Sequence, residues 1–248
     1  MCCLFLAASS TVAIAQTNVV DLVNPIIGTN GMGHTFPGAC VPFGLVQLSP
    51  DTDTIPHNVD GKYQPRSYEY CAGYQHKDSS IVGFSHTHFS GTGHSDLGDI
   101  LIMPTTGTLK LNPGTATNPD GGYRSRFSHD TEISRPGYYE VMLADYGVKA
   151  QLTTTQRAGI HKYTYPTNSE NQRIILDMIH GIYNYDGKVL WTNIRVENDT
   201  LVTGYRITNG WARTNYTYFA MSFSKPITHY GCEEKAKVNY RGGYAKFN

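Results

Sequence analysis

The chain has 248 residues, and its 20 basic side chains are balanced by 20 acidic ones. This balance argues against a nucleic-acid partner or an anionic membrane surface, because both would require a basic face. Tyrosine occurs 18 times and glycine 25 times. Since tyrosine favours strands and glycine marks turns, the composition predicts a β-rich protein, and its length is sufficient for one domain with a sizeable core.

The first 15 residues differ from the rest of the chain. An apolar run from Cys2 to Ala8 is followed by Ala13-Ile14-Ala15, a small-x-small pattern typical of a signal-peptidase site. The run is too short to span a bilayer, so no membrane span is predicted. Residues 1–15 are interpreted as the remainder of a signal peptide, which predicts a periplasmic or secreted protein. The alternative is a disordered apolar tail.

Three cysteines would remain after removal of such a signal, namely Cys40, Cys71 and Cys232. The chain contains no CxxC pair, which argues against a structural zinc site of the usual type. One disulfide is compatible with export, and the sequence leaves its pairing open.

Short strands are predicted along the remainder of the chain, with turn signals such as Asp186-Gly187 and Asn209-Gly210 between them. The predicted strands cover residues 42–50, 81–89, 99–104, 138–144, 148–156, 159–165, 173–179, 189–196, 201–208 and 216–224. Regular short strands favour a β-sandwich over a doubly wound sheet. Residues 243–248 read as the opening of a strand without a partner. Residues 18–248 are therefore predicted to be a sandwich domain that is cut before its C-terminal end.

A histidine-rich segment lies in the middle of this pattern. His86 and His88 are two residues apart in a predicted strand, so their side chains would share one face. A turn over residues 90–93 would bring His94 back towards them, and Asp96 or Asp99 would complete a metal site of the histidine-plus-carboxylate kind. The alternative is that these histidines form hydrogen bonds within the loop.

The loop that follows the histidines also suits a sugar. Glycines at 91 and 93 allow a backbone to approach a ligand closely. Ser90, Thr92 and Asp96 offer donors and acceptors suited to sugar hydroxyls. A tight turn between two core strands would favour the same glycines, so the residues by themselves leave both interpretations open.

Tyrosines surround a second candidate segment, residues 68–74. Aromatic faces stack on pyranose rings, and the Glu69 carboxylate can accept a hydrogen bond from a hydroxyl. The alternative is that the tyrosines pack in the core, which is common for this residue. Glycosidases place two carboxyl groups across the scissile bond. No spacing in this sequence identifies such a pair.

Three blocks of sequence resemble the N-terminal domain of glycoside hydrolase family 92, the bacterial calcium-dependent exo-α-mannosidases. The first block comprises residues 23–29, 37–39 and 42–51, the second residues 72–74 and 83–93, and the third residues 95–100 and 134–139. The resemblance covers nearly all of residues 18–248.

The resemblance implies an all-β fold, a β-sandwich of the galactose-mutarotase-like supersandwich type, which packs on a helical (α/α)6 catalytic barrel. It implies hydrolysis of terminal α-linked mannose in glycans with inversion. The barrel, which is missing from this chain, would supply the catalytic acid, the catalytic base and most calcium ligands. No catalytic residue and no metal ligand is therefore assigned here, and the chain is predicted to be inactive alone. Its expected partners are mannose-containing glycans and the missing barrel.

The resemblance also implies that loops of the sandwich line the sugar pocket. Tyr68 stands where relatives often carry a tryptophan beside the leaving sugar, and Ala72-Gly73-Tyr74 stands for a Ser-Gly-Tyr element. The predicted substrate-binding residues are Tyr68, Glu69, Cys71, Tyr74, His86, His88, Ser90, Gly91, Thr92, Gly93 and Asp96. Two alternatives remain, a stand-alone carbohydrate-binding β-sandwich module and a histidine-liganded metal protein.

Overall fold

The structure is a computed structural model that describes residues 18–53, 55–91, 96–182, 184, 185, 187–235 and 240–247. Side chains of residues 234, 235 and 240–247 are excluded from that description. The predicted signal peptide, residues 1–15, lies outside the described residues. Across the described residues, we find no helix whose length and apolar character would let it cross a membrane.

The secondary structure of the described residues consists of short strands with four short 3-10 helices. The 3-10 helices are η1 (Val19–Leu22), η2 (Pro65–Tyr70), η3 (Pro119–Gly121) and η4 (His129–Thr131). The strands are β1 (Ala39–Cys40), β2 (Gln47–Asp51), β3 (Asn58–Val59), β4 (Lys62–Tyr63), β5 (Ser80–Ile81), β6 (Gly83–Ser85), β7 (Leu101–Thr105), β8 (Ser125–Arg126), β9 (Ile133–Arg135), β10 (Tyr138–Leu143), β11 (Val148–Thr154), β12 (Gly159–Thr164), β13 (Arg173–Asp177), β14 (Val189–Val196), β15 (Leu201–Thr208), β16 (Asn215–Ser222), β17 (Ile227–Lys235) and β18 (Tyr240–Phe247).

Three antiparallel sheets make up most of the domain. The central sheet has seven strands in the order β1-β2-β6-β7-β13-β18-β17. A four-stranded sheet has the order β12-β11-β10-β9, and a three-stranded sheet has the order β14-β15-β16. The strand pairs β3-β4 and β5-β8 form two small ribbons. The predicted all-β sandwich is confirmed.

Apolar side chains cover both faces of the central sheet. Leu101 and Met103 of β7 pack in one cluster with residues of β10 and β11 such as Val141 and Leu152. Ile102, between them on the same strand, packs in a second cluster with residues of the three-stranded sheet. Successive side chains of a strand point to opposite faces. The apolar residues from Ile100 to Met103 within the predicted strand 99–104 are thereby explained, because the strand is buried on both sides.

The four-stranded sheet covers the core with one face only. In β10 and β11 buried positions alternate with half-buried ones, as in Tyr139, Val141 and Leu143. Such alternation is expected of an outer sheet that faces the core on one side. The alternation in β10 and β11 therefore reflects outer strands, and both strands lie close to their predicted positions.

Several strand predictions differ from the structure, and the predicted strand over residues 42–50 begins only at Gln47, as β2. The predicted strand over residues 81–89 ends at Ser85, and the chain continues as a loop. The expectation that residues 243–248 lack a partner is wrong for the described part, because β18 lies between β13 and β17. Tyr244, for example, is opposite both Ile175 and Gly231. These pairings connect residues far apart in sequence, and the sequence pattern does not contain them.

The described residues include three cysteines, Cys40, Cys71 and Cys232. Cys71 is buried, whereas Cys40 and Cys232 are exposed. No disulfide links these three residues in this structure.

Candidate functional site

Four loops meet around the histidine-rich segment, and we call them the loop cluster: residues 28–36, 68–75, 86–91 with 96–99, and 209–212. The Gly91 amide donates to the His34 carbonyl oxygen at 2.9 Å. The His34 ring packs edge-on against Tyr68, with the ring centroids 4.7 Å apart. Gln75 pairs with Gly31 through two hydrogen bonds of 2.8 and 2.9 Å. Residues predicted separately as site residues are thus joined into one surface.

Buried charges lie beneath the loop cluster, centred on Asp51 at the end of β2. One carboxylate oxygen lies 2.8 Å from His88 Nε2, and the other lies 2.7 Å from His180 Nε2. The second ring nitrogen of His88 lies 2.8 Å from the Gln47 carbonyl oxygen. Burial alone would raise the pKa of Asp51, but the adjacent His88 and His180 hold it well below its usual range. Each ring nitrogen of His88 therefore faces an oxygen acceptor, one from Gln47 and one from Asp51.

His86 belongs to a different chain of hydrogen bonds. Its Nδ1 lies 2.6 Å from the Ile100 carbonyl oxygen, and its Nε2 lies 3.0 Å from His161 Nε2. The Tyr163 hydroxyl lies 2.7 Å from His161 Nδ1. Burial lowers the pKa of His86 to about 4, against the opposing effect of the Ile100 carbonyl. His86 is therefore neutral at pH 7, donates from Nδ1 and accepts at Nε2.

These contacts bear on the alternative of a metal site at His86, His88 and His94. The two described rings have all four nitrogens engaged with protein atoms. They also do not share a face, because the chain leaves strand geometry after Ser85. His94 lies outside the described residues. The alternative therefore has no support from the part of this segment that the structure describes.

A second buried ion pair fixes the other side of the same loop. Arg206 Nε lies 2.8 Å from Asp99 Oδ1, although its N–H is not aimed at that oxygen, so the contact is ionic. The Thr87 hydroxyl donates to the other Asp99 oxygen at 2.8 Å. Lys188 is also buried here, and burial, with Arg206 nearby, lowers its pKa to about 7. The loop base is thus held by charges from β15 and from the start of β14.

Asp96 shapes the rim of the loop cluster. Its carboxylate accepts hydrogen bonds from the Trp211 and Ala212 amides at 2.6 and 2.9 Å. A side chain at Gly210 would collide with this carboxylate, since an added Cβ would lie 1.7 Å from Asp96 Oδ1. Trp211 is left 80% exposed. Asp96 therefore orders the turn that presents Trp211.

The predicted substrate-binding residues fall into three groups. Ser90 and Gly91 are exposed, whereas Tyr68, Glu69, His86 and Asp96 are half-buried. Cys71, Tyr74 and His88 are buried, and the Tyr74 hydroxyl donates to Glu132 at 2.9 Å. Thr92 and Gly93 lie outside the described residues. Direct contact with a sugar stays a prediction for all of these residues, and burial leaves it without structural support for Cys71, Tyr74 and His88.

Sequence reasoning missed four residues of this region, which are His180, Lys188, Arg206 and Trp211. They are 80 or more residues from the histidine-rich segment in the chain, and strand pairing brings them to it. A signal was present for Arg206, because it occupies a fully buried position in the alternating pattern of β15. A charge at such a position indicates a buried partner.

Calcium does not fit the described carboxylates of the loop cluster or Asp51 beneath it, and in the cluster Glu69 is paired with Lys77. Asp51 is bound by two histidines, Asp99 lies against Arg206, and Asp96 accepts from two backbone amides. Calcium requires six to eight oxygen ligands. Among the described residues, the one group of three metal-ligating side chains is His76, His129 and Glu132, which contains two nitrogen ligands.

Gly73 provides the first test of this arrangement. It has φ +81°, and a Cβ at this position would lie 2.0 Å from Asp51 Oδ1 and 3.1 Å from His88 Nε2. We expect Gly73→Ala to lower the free energy of unfolding by about 3 kcal/mol, combining left-handed strain with displacement of the Asp51 carboxylate. Urea denaturation measures this change.

Gly61→Ala is the matched control. Gly61 has a similar φ of +74°, and a Cβ added there would have no other atom within 4 Å. This variant should lose only about 1 to 2 kcal/mol, from the backbone strain alone. Equal losses in the two variants would show that close packing on Asp51 is unimportant.

Comparisons with known proteins agree with the fold and the resemblance. The profile described as "Glycosyl hydrolase family 92 N-terminal domain" matches residues 22–247. A GH92 α-mannosidase from Bacteroides thetaiotaomicron, solved in complex with mannoimidazole, is 40% identical with a TM-score of 0.82. That match covers 93% of this chain and 30% of the solved chain.

Two relatives of lower identity are also described as glycosidases or mannosidases. A GH92 inverting mannosidase from Bacteroides thetaiotaomicron VPI-5482 is 26% identical with a TM-score of 0.71, covering 95% of this chain and 30% of that one. An uncharacterized secreted glycosidase from Arthroderma benhamiae is 29% identical over 170 residues, which are 65% of this chain and 19% of the relative. The chain spans less than a third of these proteins. Because the profile covers most of its length, the chain belongs to glycosyl hydrolase family 92 and contains the N-terminal domain of that family.

Proposed function

We propose that this domain forms one wall of the sugar pocket of an α-mannosidase that removes terminal α-linked mannose from glycans with inversion. The observation that carries the proposal is the 40% identity, across 93% of the chain, to an α-mannosidase solved with mannoimidazole. The inverting outcome has support from the 26% identical relative whose description names it. A helical barrel in the whole protein would supply the acid and the base.

The loop cluster is the surface that we assign to the pocket wall. Its exposed atoms include the Ser90 hydroxyl and the Gly91 backbone, which suit sugar hydroxyls. Phe89 and Trp211 are exposed aromatic side chains on the same loops. Aromatic rings combine a large apolar face with a rigid shape, which suits the apolar face of a pyranose. The buried ion pairs below would keep this wall in one conformation.

Export and calcium form part of the same proposal. The apolar segment over residues 1–15 and the secreted relative from Arthroderma benhamiae support a periplasmic or secreted location. Calcium would be bound mostly by the barrel, since the described carboxylates of the loop cluster have other partners. The expected partners remain mannose-containing glycans and the barrel.

The decisive experiment compares the whole protein with the 248-residue chain. We expect the whole protein to hydrolyse an aryl α-mannoside and to release β-mannose first, as read by proton NMR of the anomeric signal. The isolated chain should show no turnover above background. Full activity of the isolated chain would place the catalytic groups within it. Turnover of a different glycoside, with none on α-mannosides, would overturn the substrate class.

A variant of the whole protein tests the loop cluster separately. Trp211→Ala should lower kcat/KM by up to about tenfold, the effect of losing one aromatic contact. Tyr230→Ala is the control, because Tyr230 is an exposed aromatic on β17 outside the loop cluster. Equal kinetic effects of the two substitutions would argue against the proposed wall. A chain that binds mannose but belongs to a protein without hydrolase activity would instead favour the carbohydrate-binding module.

A further inference from the structure

Three metal-ligating side chains meet away from the Asp51 and Asp99 ion pairs. His129 and Glu132 lie at the start and just beyond the end of η4, and His76 lies in the loop before β5. In 3-10 geometry side chains at i and i+3 eclipse, so His129 and Glu132 point the same way. One donor atom from each of the three residues lies within 4.8 Å of those of the other two.

The Glu132 carboxylate is buried and fixed by hydrogen bonds from two tyrosines. It is 3% exposed, and it accepts from the Tyr74 hydroxyl at 2.9 and 3.0 Å and from the Tyr139 hydroxyl at 2.6 Å. Both tyrosines are buried, so their hydroxyls hold the carboxylate from the protein interior. Such outer partners orient a ligating carboxylate in metal sites.

The two imidazoles are placed against this carboxylate. His129 Nδ1 lies 2.6 Å from Glu132 Oε2, and the His76 and His129 ring centroids are 3.9 Å apart. The His76 backbone is fixed by a hydrogen bond from its amide to the Thr29 carbonyl oxygen at 2.8 Å. The Phe127 ring packs edge-on against His129 at 5.0 Å. The His129 ring thus contacts the carboxylate directly, and the His76 ring lies against His129 with its Nδ1 3.5 Å from the Tyr74 hydroxyl.

The charge of Glu132 indicates what would complete the cluster. Among the described residues, its one ionic partner is His129, and no lysine or arginine pairs with it. Burying a carboxylate is costly unless a positive charge lies beside it. A divalent cation between the three side chains would neutralise the carboxylate and use both rings in their neutral form.

The donor set selects the class of metal. Two imidazole nitrogens and one carboxylate oxygen form a His2Glu set, which binds zinc with a fourth position left for water. Tetrahedral zinc holds its ligand atoms about 3.4 Å apart, so modest side-chain rotations would close the site. Calcium and magnesium are hard cations that take oxygen ligands, and they are disfavoured by the two nitrogens. His129 is 37% exposed, which gives a path for the ion.

We propose that His76, His129 and Glu132 bind one zinc ion, which ties the η4 turn to the loop that contains His76. None of the three ligands belongs to the loop cluster, although the site adjoins it, because Tyr74 donates to Glu132 and the His76 amide donates to the Thr29 carbonyl oxygen. It also differs from the predicted histidine metal site, since it uses none of His86, His88 and His94.

The test uses the purified chain after removal of metals with a chelator and in the presence of a non-thiol reductant. Calorimetric titration with zinc chloride should give one tight site per chain, and calcium chloride should give no binding there. Cobalt chloride, titrated as a spectroscopic substitute, should produce the visible absorption of a four-coordinate ion. Zinc should raise the melting temperature by an amount that grows with its free concentration.

Variants connect the binding to these residues. His76→Ala and His129→Ala should each weaken zinc binding by at least about tenfold, and Tyr139→Phe should weaken it by about tenfold through the loss of a carboxylate partner. His229→Ala is the control, because His229 is an exposed histidine on β17 and should leave binding unchanged. His129 is partly exposed, so its variant should fold even if one at Glu132 does not.

Two results would overturn the assignment. The first is the absence of a one-to-one zinc complex in the unmodified chain. The second is a one-to-one complex whose affinity is the same in His76→Ala, His129→Ala and His229→Ala, since the ion would then bind elsewhere. Activity of the whole enzyme is not needed for either readout, so failure here is distinguishable from failure of the mannosidase proposal.

Discussion

Asp51→Asn is expected to lower the free energy of unfolding by about 3 to 5 kcal/mol, the cost of removing one partner from a buried ionic group. The carboxylate is fully buried and contacts His88 and His180 through different oxygens. An amide carries no charge and has only one acceptor atom, so at least one histidine would lose its acceptor. Urea denaturation at pH 7 measures the loss.

Asp60→Asn is the control for this substitution. Asp60 is exposed and has φ +51°, a conformation that asparagine tolerates equally well. This variant should stay within about 0.5 kcal/mol of the unmodified chain. If the two variants were equally stable, the Asp51 carboxylate would not be a structural centre of the loop cluster.

Because Asp51 titrates, its contribution to the free energy of unfolding is also expected to depend on pH at low pH. The folded-state pKa of Asp51 lies below its unfolded value. Its contribution is therefore fully present above the unfolded pKa, about 3.9, and is lost as the pH falls towards the folded value. Asp51→Asn should remove this part of the acid destabilisation.

The free energy of unfolding is expected to fall strongly as the pH is lowered from 6.5 to 4. Burial lowers the pKa of His86 to about 4, and it lowers the pKa of His161 well below the usual range. In this window the unfolded chain binds protons that the folded chain excludes, so stability rises with pH and falls on acidification. A shift from about 6.5 to about 4 corresponds to about 3 kcal/mol for His86 alone. Urea midpoints measured at half-unit pH intervals should show this slope.

His86→Asn tests whether the histidine pair causes the slope. The asparagine amide can still donate towards the Ile100 carbonyl oxygen, but it does not titrate. The variant should therefore have a shallower dependence on pH between 4 and 6.5. His229→Asn, at an exposed histidine, should keep the full slope. If the unmodified chain, His86→Asn and His229→Asn all showed the same dependence of stability on pH, titrating groups other than His86 would cause it.

The local sequence pattern was sufficient to predict many of the strands. The alternating residues of β10 and β11 and the turn signals around β15 gave strands close to those observed, because an outer sheet with one buried face imposes a period of two. The loop at residues 86–91 was harder. Its apolar and polar residues alternate like a strand, but the side chains of His86 and His88 take backbone carbonyls as partners, and the chain departs from the sheet.

The candidate site was predictable only in part. The residues near the histidines were identified from their chemistry and from the resemblance, and the loops containing Tyr68, Ser90 and Asp96 do belong to one cluster. Arg206, Lys188 and His180 could not be placed there from the sequence. Their contacts depend on pairing between segments that are separated by 80 or more residues. The alternation of residues within one strand does not show which distant strand it pairs with.

The sequence by itself determined the all-β class, the outer strands, the resemblance to family 92 and the residue types available at the loops. Tertiary structure decided which of those residues face solvent and which form hydrogen bonds or ion pairs with other residues of the protein. It buried His88 against Asp51, turned Asp96 towards the Trp211 turn, and brought His76 to His129 and Glu132. The physical reason is that residue type fixes what a side chain can donate or accept, whereas long-range strand pairing fixes which partner it meets.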